Sequence, residues 1–402
     1  MIILFLWDGN ELKFEIVMAK KNKNRILEMR FCDHILVGIL LVLCVVLILV
    51  PEHSKQDGNK TKKVRALITE VDNKLVEVYG IVEQGDQAVT LKILEGPYAG
   101  KILSTYNTLL GDPEFDWLYK PDEKALVSLT KTKNGKLFPE LLGPYRLRIA
   151  GYLTLLFFLL LIVVAGRVGV KAILSFIFAI LVIWKALIPL CLAGYNPIPL
   201  SLGIVAIITG AITMLVGGIT RKGITAYLGS LLGLITTCIL AMLFAPGFYL
   251  IGTTRPFAKS LLFANPQLDL YSFFIAGMFI ASSGAVMDLA MDIAAAMQEI
   301  KRHQPDITRQ QLFFSGMRLG QVVVGTMTTT LLMAYSGGYM MMMMHFMSQG
   351  ISVSVMINSA FFSSEILYTL VGSFGLITVA PFSALVGAFI FSLPERNSIQ
   401  NN

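Results

Sequence analysis

Seven apolar stretches follow one another between Ile149 and Phe391: Ile149–Gly166, Val170–Leu190, Leu200–Gly218, Ile224–Phe244, Tyr271–Met297, Ser315–Tyr335 and Ile366–Phe391. A bilayer core about 30 Å thick is crossed by roughly 20 helical residues. A backbone in hydrocarbon must satisfy its own hydrogen bonds, so stretches of this kind have little choice but to be helices. An eighth run, Ile35–Val50, ends at Pro51 and follows a basic arm. It lacks a small-residue cleavage site before His53, so it reads as an uncleaved anchor. Composition agrees: the 402 residues are 55% hydrophobic and only 15% charged, against about 25% charged in soluble domains. The expected fold class is an α-helical polytopic membrane protein with about eight transmembrane helices and a small extracytoplasmic β-barrel-like domain.

The β-rich segment is residues 52–148, between the anchor and the seven-helix bundle of residues 149–393. Short runs at Val64–Val71, Leu75–Val82, Gln87–Ile93, Lys101–Thr105 and Ala125–Thr130 suit strands. Turn signals separate them at Asp72-Asn73, Gly85-Asp86, Gly96-Pro97, Asp112-Pro113 and Asn134-Gly135. Residues 1–34 form a basic arm whose first 17 residues read as an overextended start, since Met18 opens the more natural MAKKNKNRILEMR. Residues 394–402 make a tail. The interval Gly337–Ser364 is apolar but broken by glycines and hydroxyls, as a re-entrant or interfacial segment would be.

The net charge of +7 is not a nucleic-acid signal, because the basic residues sit where they orient spans. With the N-terminus inside, Arg167, Lys171, Arg221, Lys222, Lys301, Arg302, Arg309 and Arg396 fall in cytoplasmic loops, and only Arg255 and Lys259 in short outer ones. Both termini are then cytoplasmic and residues 52–148 lie outside. Cys32, Cys44, Cys191 and Cys238 show no paired spacing, which gives no support to a disulfide framework or a zinc site.

Asp288 and Asp292 stand inside FFIAGMFIASSGAVMDLAMDIAAAM, the fifth of the seven stretches. A carboxylate there costs about 2.5–3.5 kcal/mol on insertion scales, so it ordinarily faces protein or water. The i,i+4 spacing stacks the two on one face about 5–6 Å apart. The same face carries Ala281, Gly284, Ala285 and Ala295, small enough for another helix to approach, and is expected to turn into the bundle. Two close carboxylates cannot both ionise cheaply: they share a proton or hold a cation. The alternative is a structural pairing, with Arg318 for instance. Ser282 and Ser283 offer oxygens near Asp288, or bond back to their own helix. Thr326, Thr328, Thr329 and Thr330 do the same in the next span, where hydroxyls suit a hard cation, a polar solute or plain interhelical bonding. Glu365 opens the last span, either as an entrance carboxylate or as an acid favoured by the helix dipole. Lys185 reads as a lysine reaching for the interface. The run Met340–Met344 before His345 suits soft copper(I) or, more simply, adaptable packing.

The phrase Ile280-Ala-Ser-Ser-Gly-Ala-Val-Met-Asp288-Leu-Ala-Met resembles the signature of the YibE/YibF-like family of bacterial membrane proteins. Gly325-Thr-Met-Thr-Thr-Thr-Leu-Leu-Met-Ala-Tyr335 and Ser364-Glu-Ile-Leu-Tyr-Thr-Leu-Val-Gly-Ser-Phe-Gly375 are similar to its following spans. The GPYAG turn within Leu91–Lys101 looks like its outer β-domain, so the resemblance covers Val64 to Phe391. Thr330 stands where that pattern has Asn, and Tyr368 where it has Arg after Glu-Ile-Leu, which leaves one acid without a partner. The resemblance implies a multi-span protein of the bacterial cell membrane with a transport role and no named substrate.

The expected function is a secondary transporter or ion-coupled permease. A proton or cation would sit at Asp288 and Asp292, with Ser282, Ser283, Thr328, Thr329 and Glu365 contributing oxygens. No GxxxxGK[ST] sequence is present, so ATP does not drive it through this chain. The chain is not expected to be an enzyme or to carry a cofactor. Its partners are the lipid bilayer, a small solute or ion, and a homo-oligomeric or membrane partner. The alternative is a non-transporting sensor or assembly partner whose β-domain binds a ligand or protein.

Overall fold

A computed structural model describes residues 34–50, 62–131 and 136–394. Nearly all of the basic arm with its suspected false start, Cys32, the Asn134-Gly135 turn and the tail with Arg396 lie outside the described residues. The chain divides into two compact units, Glu52–Val164 and Met1–Pro51 with Ala165–Asn402.

In the first unit five strands, β1 (Lys62–Tyr79), β2 (Val82–Ile93), β3 (Ile102–Leu110), β4 (Lys124–Lys131) and β5 (Leu137–Pro144), form one antiparallel sheet in the order β3-β2-β1-β4-β5. Alternate residues share a face of a strand. Val64, Ala66 and Ile68 therefore join Val89, Leu91 and Ile93, and Ala125, Val127 and Leu129, in a single core. Each aliphatic side chain of Val size or larger contributes about 1.5–3 kcal/mol on burial. The sheet curls until its edges meet, and Thr105 Oγ1 of β3 donates to the Pro139 carbonyl of β5 at 2.7 Å. Among the described residues no backbone ladder joins those edges, so the expected barrel is a half-barrel.

Two turn signals are not turns. Asp72-Asn73 lies in a bulge inside β1, where the register with β2 shifts between Asp72 and Leu75. Gly85 lies within β2, opposite that bulge. A Cβ there would sit 2.1 Å from the Leu75 carbonyl oxygen, which makes glycine obligatory. The chain reverses instead at Gly80 (φ 66°), next to Ile81. Strand β5 is not legible in the sequence because it contains Pro139 and ends in Pro144. An edge strand tolerates both.

The second unit contains α1 (His34–Leu49), α2 from its break onward (the helix is Leu147–Val182, interrupted at Gly166 with φ 55°), a π-turn Ile183–Leu187 and α3 (Ile188–Leu192). It continues through α4 (Pro197–Gly217), α5 (Arg221–Phe244), α6 (Ala258–Ala264), α7 (Leu270–His303), α8 (Arg309–Ser348), α9 (Val353–Asn358) and α10 (Ala360–Ser392). Asn196, Thr220, Asp269, Thr308 and Ser359 cap α4, α5, α7, α8 and α10 with side-chain oxygens. Such caps satisfy amide groups that the first helical turn leaves unpaired. Arg221 closes the far end of α10 by donating to the carbonyls of Leu393 and Pro394, both at 2.8 Å.

Five helical stretches are long and apolar enough to cross a membrane, and the expected eight spans are not confirmed. Helix α1 has 16 residues, short of the usual length. The first two expected spans are consecutive parts of one stretch, Leu147–Leu192, parted at Gly166. Helix α8 absorbs the expected re-entrant segment as far as Ser348, and its glutamines, arginines and threonines lower its apolarity.

Helix α7 is the centre of the unit. Its Val286, Leu289, Ile293 and Met297 share a core with α5, α8 and α10, while Phe274, Ile275, Met278 and Phe279 fill a second cluster. Small residues set the spacing. A Cβ on Gly229 would lie 2.2 Å from Ser383 Oγ, and one on Gly320 2.9 Å from Ala380 Cβ. Gly203 of α4 sets no such spacing, since a Cβ there would meet nothing within 4 Å.

Candidate functional site

The residues singled out in the sequence fall into two groups along α7. Asp288 and Asp292 lie in its C-terminal half, eighteen and twenty-two residues from Leu270. Both are exposed in the single chain, as are Ala281, Gly284 and Ala295 on the same face. The expectation that this face turns into the bundle is not met. The physical reason is the position of the neighbours. Met291, on one flank of the stripe, packs against Gly217 of α4; Ala285 and Ile293, on the other, pack in the cluster shared with α8. The acids stand on the open face between those contacts, where a Cβ on Gly284 would meet nothing within 4 Å. Among the described residues neither acid has an ion pair, so the pairing of Asp288 with Arg318 is not formed.

The hydroxyls are divided. Ser282 is fully buried and donates to the Phe279 carbonyl; Ser283 donates to that of Ile280 at 2.6 Å. Thr329 bonds to its own helix at Gly325, but Thr328 Oγ1 is buried with no partner among the described residues. Polar atoms stranded in this way are uncommon and cost about 1–3 kcal/mol each.

The second group surrounds Glu365, which does not open its helix: α10 begins at Ala360. Its carboxylate accepts from Arg255 Nη1 at 2.7 Å, so the acid expected to lack a partner has one. Arg255 comes from the loop after α5, and its guanidinium lies 4.3 Å from the centre of the Tyr368 ring and 5.7 Å from that of Phe274. Tyr368 replaces the expected arginine in sequence, while Arg255 replaces it in space. Tyr368 donates to the Gly277 carbonyl at 2.5 Å and meets Tyr335 of α8 edge-on at 5.5 Å between centroids. The Tyr335 hydroxyl approaches Gly372 of α10, where Ser282 also packs, and is buried without a partner among the described residues. Gly277 and Asp288 are eleven residues apart, about 16 Å along a helix. The two groups are separate.

Arg255, Tyr335 and Tyr368 were missed by sequence reasoning, which counted Arg255 only as a loop charge. Its one local signal was an arginine before Pro256 in a loop otherwise built of small and apolar residues. Lys185 sits in the π-turn and donates to the Val50 carbonyl at the end of α1.

Several apolar helices of this length, packed against one another, define a multi-pass membrane protein. The YibE/F-like protein family model matches residues 153–393, well over half of the chain, and the chain belongs to that family. The half-barrel strands lie outside the matched residues. No curated protein and no solved structure matches the chain.

Proposed function

We propose that the chain is a secondary transporter or ion-coupled permease, with Asp288 and Asp292 as the site where a proton or cation couples to movement of a small solute. One observation carries the reading: two carboxylates near the middle of a long apolar helix stand on an exposed face and have no protein partner among the described residues. Charge left exposed on a membrane helix is costly unless water, a proton or a cation meets it. Two carboxylates one turn apart hold one such ion between them. On this reading both termini are cytoplasmic and residues 52–148 lie outside, as loop charge favours.

The test is thermal unfolding of the purified protein across pH and a panel of cations, for wild type and Asp288→Asn. An ion at a hundred times its dissociation constant stabilises by about 2.7 kcal/mol. Wild type should gain stability from one cation, or from acid alone, and the variant should not. Equal responses from the two proteins would sink the proposal.

A second reading is a sensor or assembly partner. It draws on the exposed apolar side chains of the half-barrel, among them Val78, Tyr79, Ile81, Tyr106 and Leu110. A stoichiometric partner held through residues 52–148, with no solute flux in liposomes, would favour it.

A further inference from the structure

We infer that Arg255 anchors a binding site for a small organic monocarboxylate, in which the ligand and Glu365 compete for one guanidinium. The proposal does not depend on transport.

Arg255 is half used. Nη1 donates to Glu365, while Nη2 is buried and has no acceptor among the described residues. The adjacent Thr254 Oγ1 is also buried and unpartnered. Both stranded groups can donate, so what is missing is an acceptor. A guanidinium offers a planar fork whose natural complement is a carboxylate. The flat faces of Tyr368 and Phe274 flank it and suit the apolar body of such a ligand. Glu365 already brings one negative charge, which opposes a dianion such as phosphate. The Arg255 side chain as a whole is 36% exposed while Nη2 itself is covered, so a ligand reaches the guanidinium from the exposed part of the side chain.

The groups facing Glu365 are Arg255 from the loop, Tyr335 and Tyr339 from α8, and Tyr368 from α10. Arg255 is its sole cationic partner among them. Replacing Glu365 by a neutral side chain releases the guanidinium to the ligand.

The experiment is thermal unfolding of the full chain in detergent with benzoate, acetate, phosphate or tetramethylammonium, at one neutral pH. Benzoate should stabilise wild type. Glu365→Gln should bind it about tenfold more tightly, an ordinary size for coupling between competing groups. Arg255→Gln should not respond. If Arg255→Gln does not fold, wild type against Glu365→Gln decides, and equal affinity overturns the proposal. So does a benzoate effect retained in Arg255→Gln, stabilisation by phosphate or tetramethylammonium alone, or no response to any carboxylate.

Discussion

Tyr119 shows how far one residue can be committed by its surroundings. It is 2% exposed in the half-barrel core, and its backbone amide and carbonyl bond to the side chain of Gln87, itself fully buried. Gln87 uses its full capacity there, since Nε2 also donates to Asn73 and Oε1 also accepts from Asn107. Burial pushes the Tyr119 phenol up to about 12. The folded state therefore holds this proton more tightly than the unfolded chain, whose tyrosine titrates near 10. The contribution is complete below pH about 10 and is lost as pH rises to about 12, a total of about 2–3 kcal/mol. Tyrosinate absorbance of wild type minus Tyr119→Phe should show one late-titrating phenol, and a difference spectrum centred near 10 would contradict this. Arg255 is the opposite case. Its role depends on Glu365 and Tyr368, more than a hundred residues away, and no local pattern announces such a meeting.

At the scale of elements, helix contacts are set by residues without side chains. Gly229 and Gly284 make a matched pair on neighbouring helices. Alanine at Gly229 brings its Cβ to 2.2 Å from Ser383 Oγ and 3.0 Å from Ser383 Cα, so α10 must shift. Overpacking of this kind costs about 1–3 kcal/mol and exceeds the gain of roughly 1 kcal/mol from helix propensity. Alanine at Gly284 meets open space and keeps that gain. Thermal unfolding should show Gly229→Ala below wild type and Gly284→Ala level with it or above; the reverse order would contradict the packing. The long apolar stretches α4, α5 and α7 were legible in the sequence because a helix in hydrocarbon must be apolar over some twenty residues, and β4 because its strand-forming residues stand between turn signals. The ends and breaks were not. Asp72-Asn73 and Gly337-Gly338 carry turn residues, yet one is a bulge and the other continues a helix, because neighbouring strands and cumulative helix hydrogen bonding outweighed local preference. The direction of the Asp288 face was misread for a related reason. Spacing fixes which residues share a face, and only the neighbouring helices fix where that face points.

At the scale of the whole molecule, the two units have separate cores: one formed by aliphatic side chains of a sheet, the other by interlocked helices. Separate cores lose their structure separately. Denaturant titration in detergent should give two transitions, one for sheet signals and one for helical signals, and a single coincident transition would refute that independence. Within the helical unit, Gly252 has a mechanical consequence. Its φ of 82° and its approach to α7, where a Cβ would lie 2.3 Å from the Leu270 carbonyl oxygen, fasten the Arg255 loop to the start of that helix. Glu365 and Tyr368 ride on α10, and each is tied to what α7 carries, one through Arg255 and one through Gly277. The ion pair and the tyrosine bond therefore act as two rivets near the start of the α7–α10 seam, beyond the apolar core that the two helices share, so that loss of either one leaves the other holding.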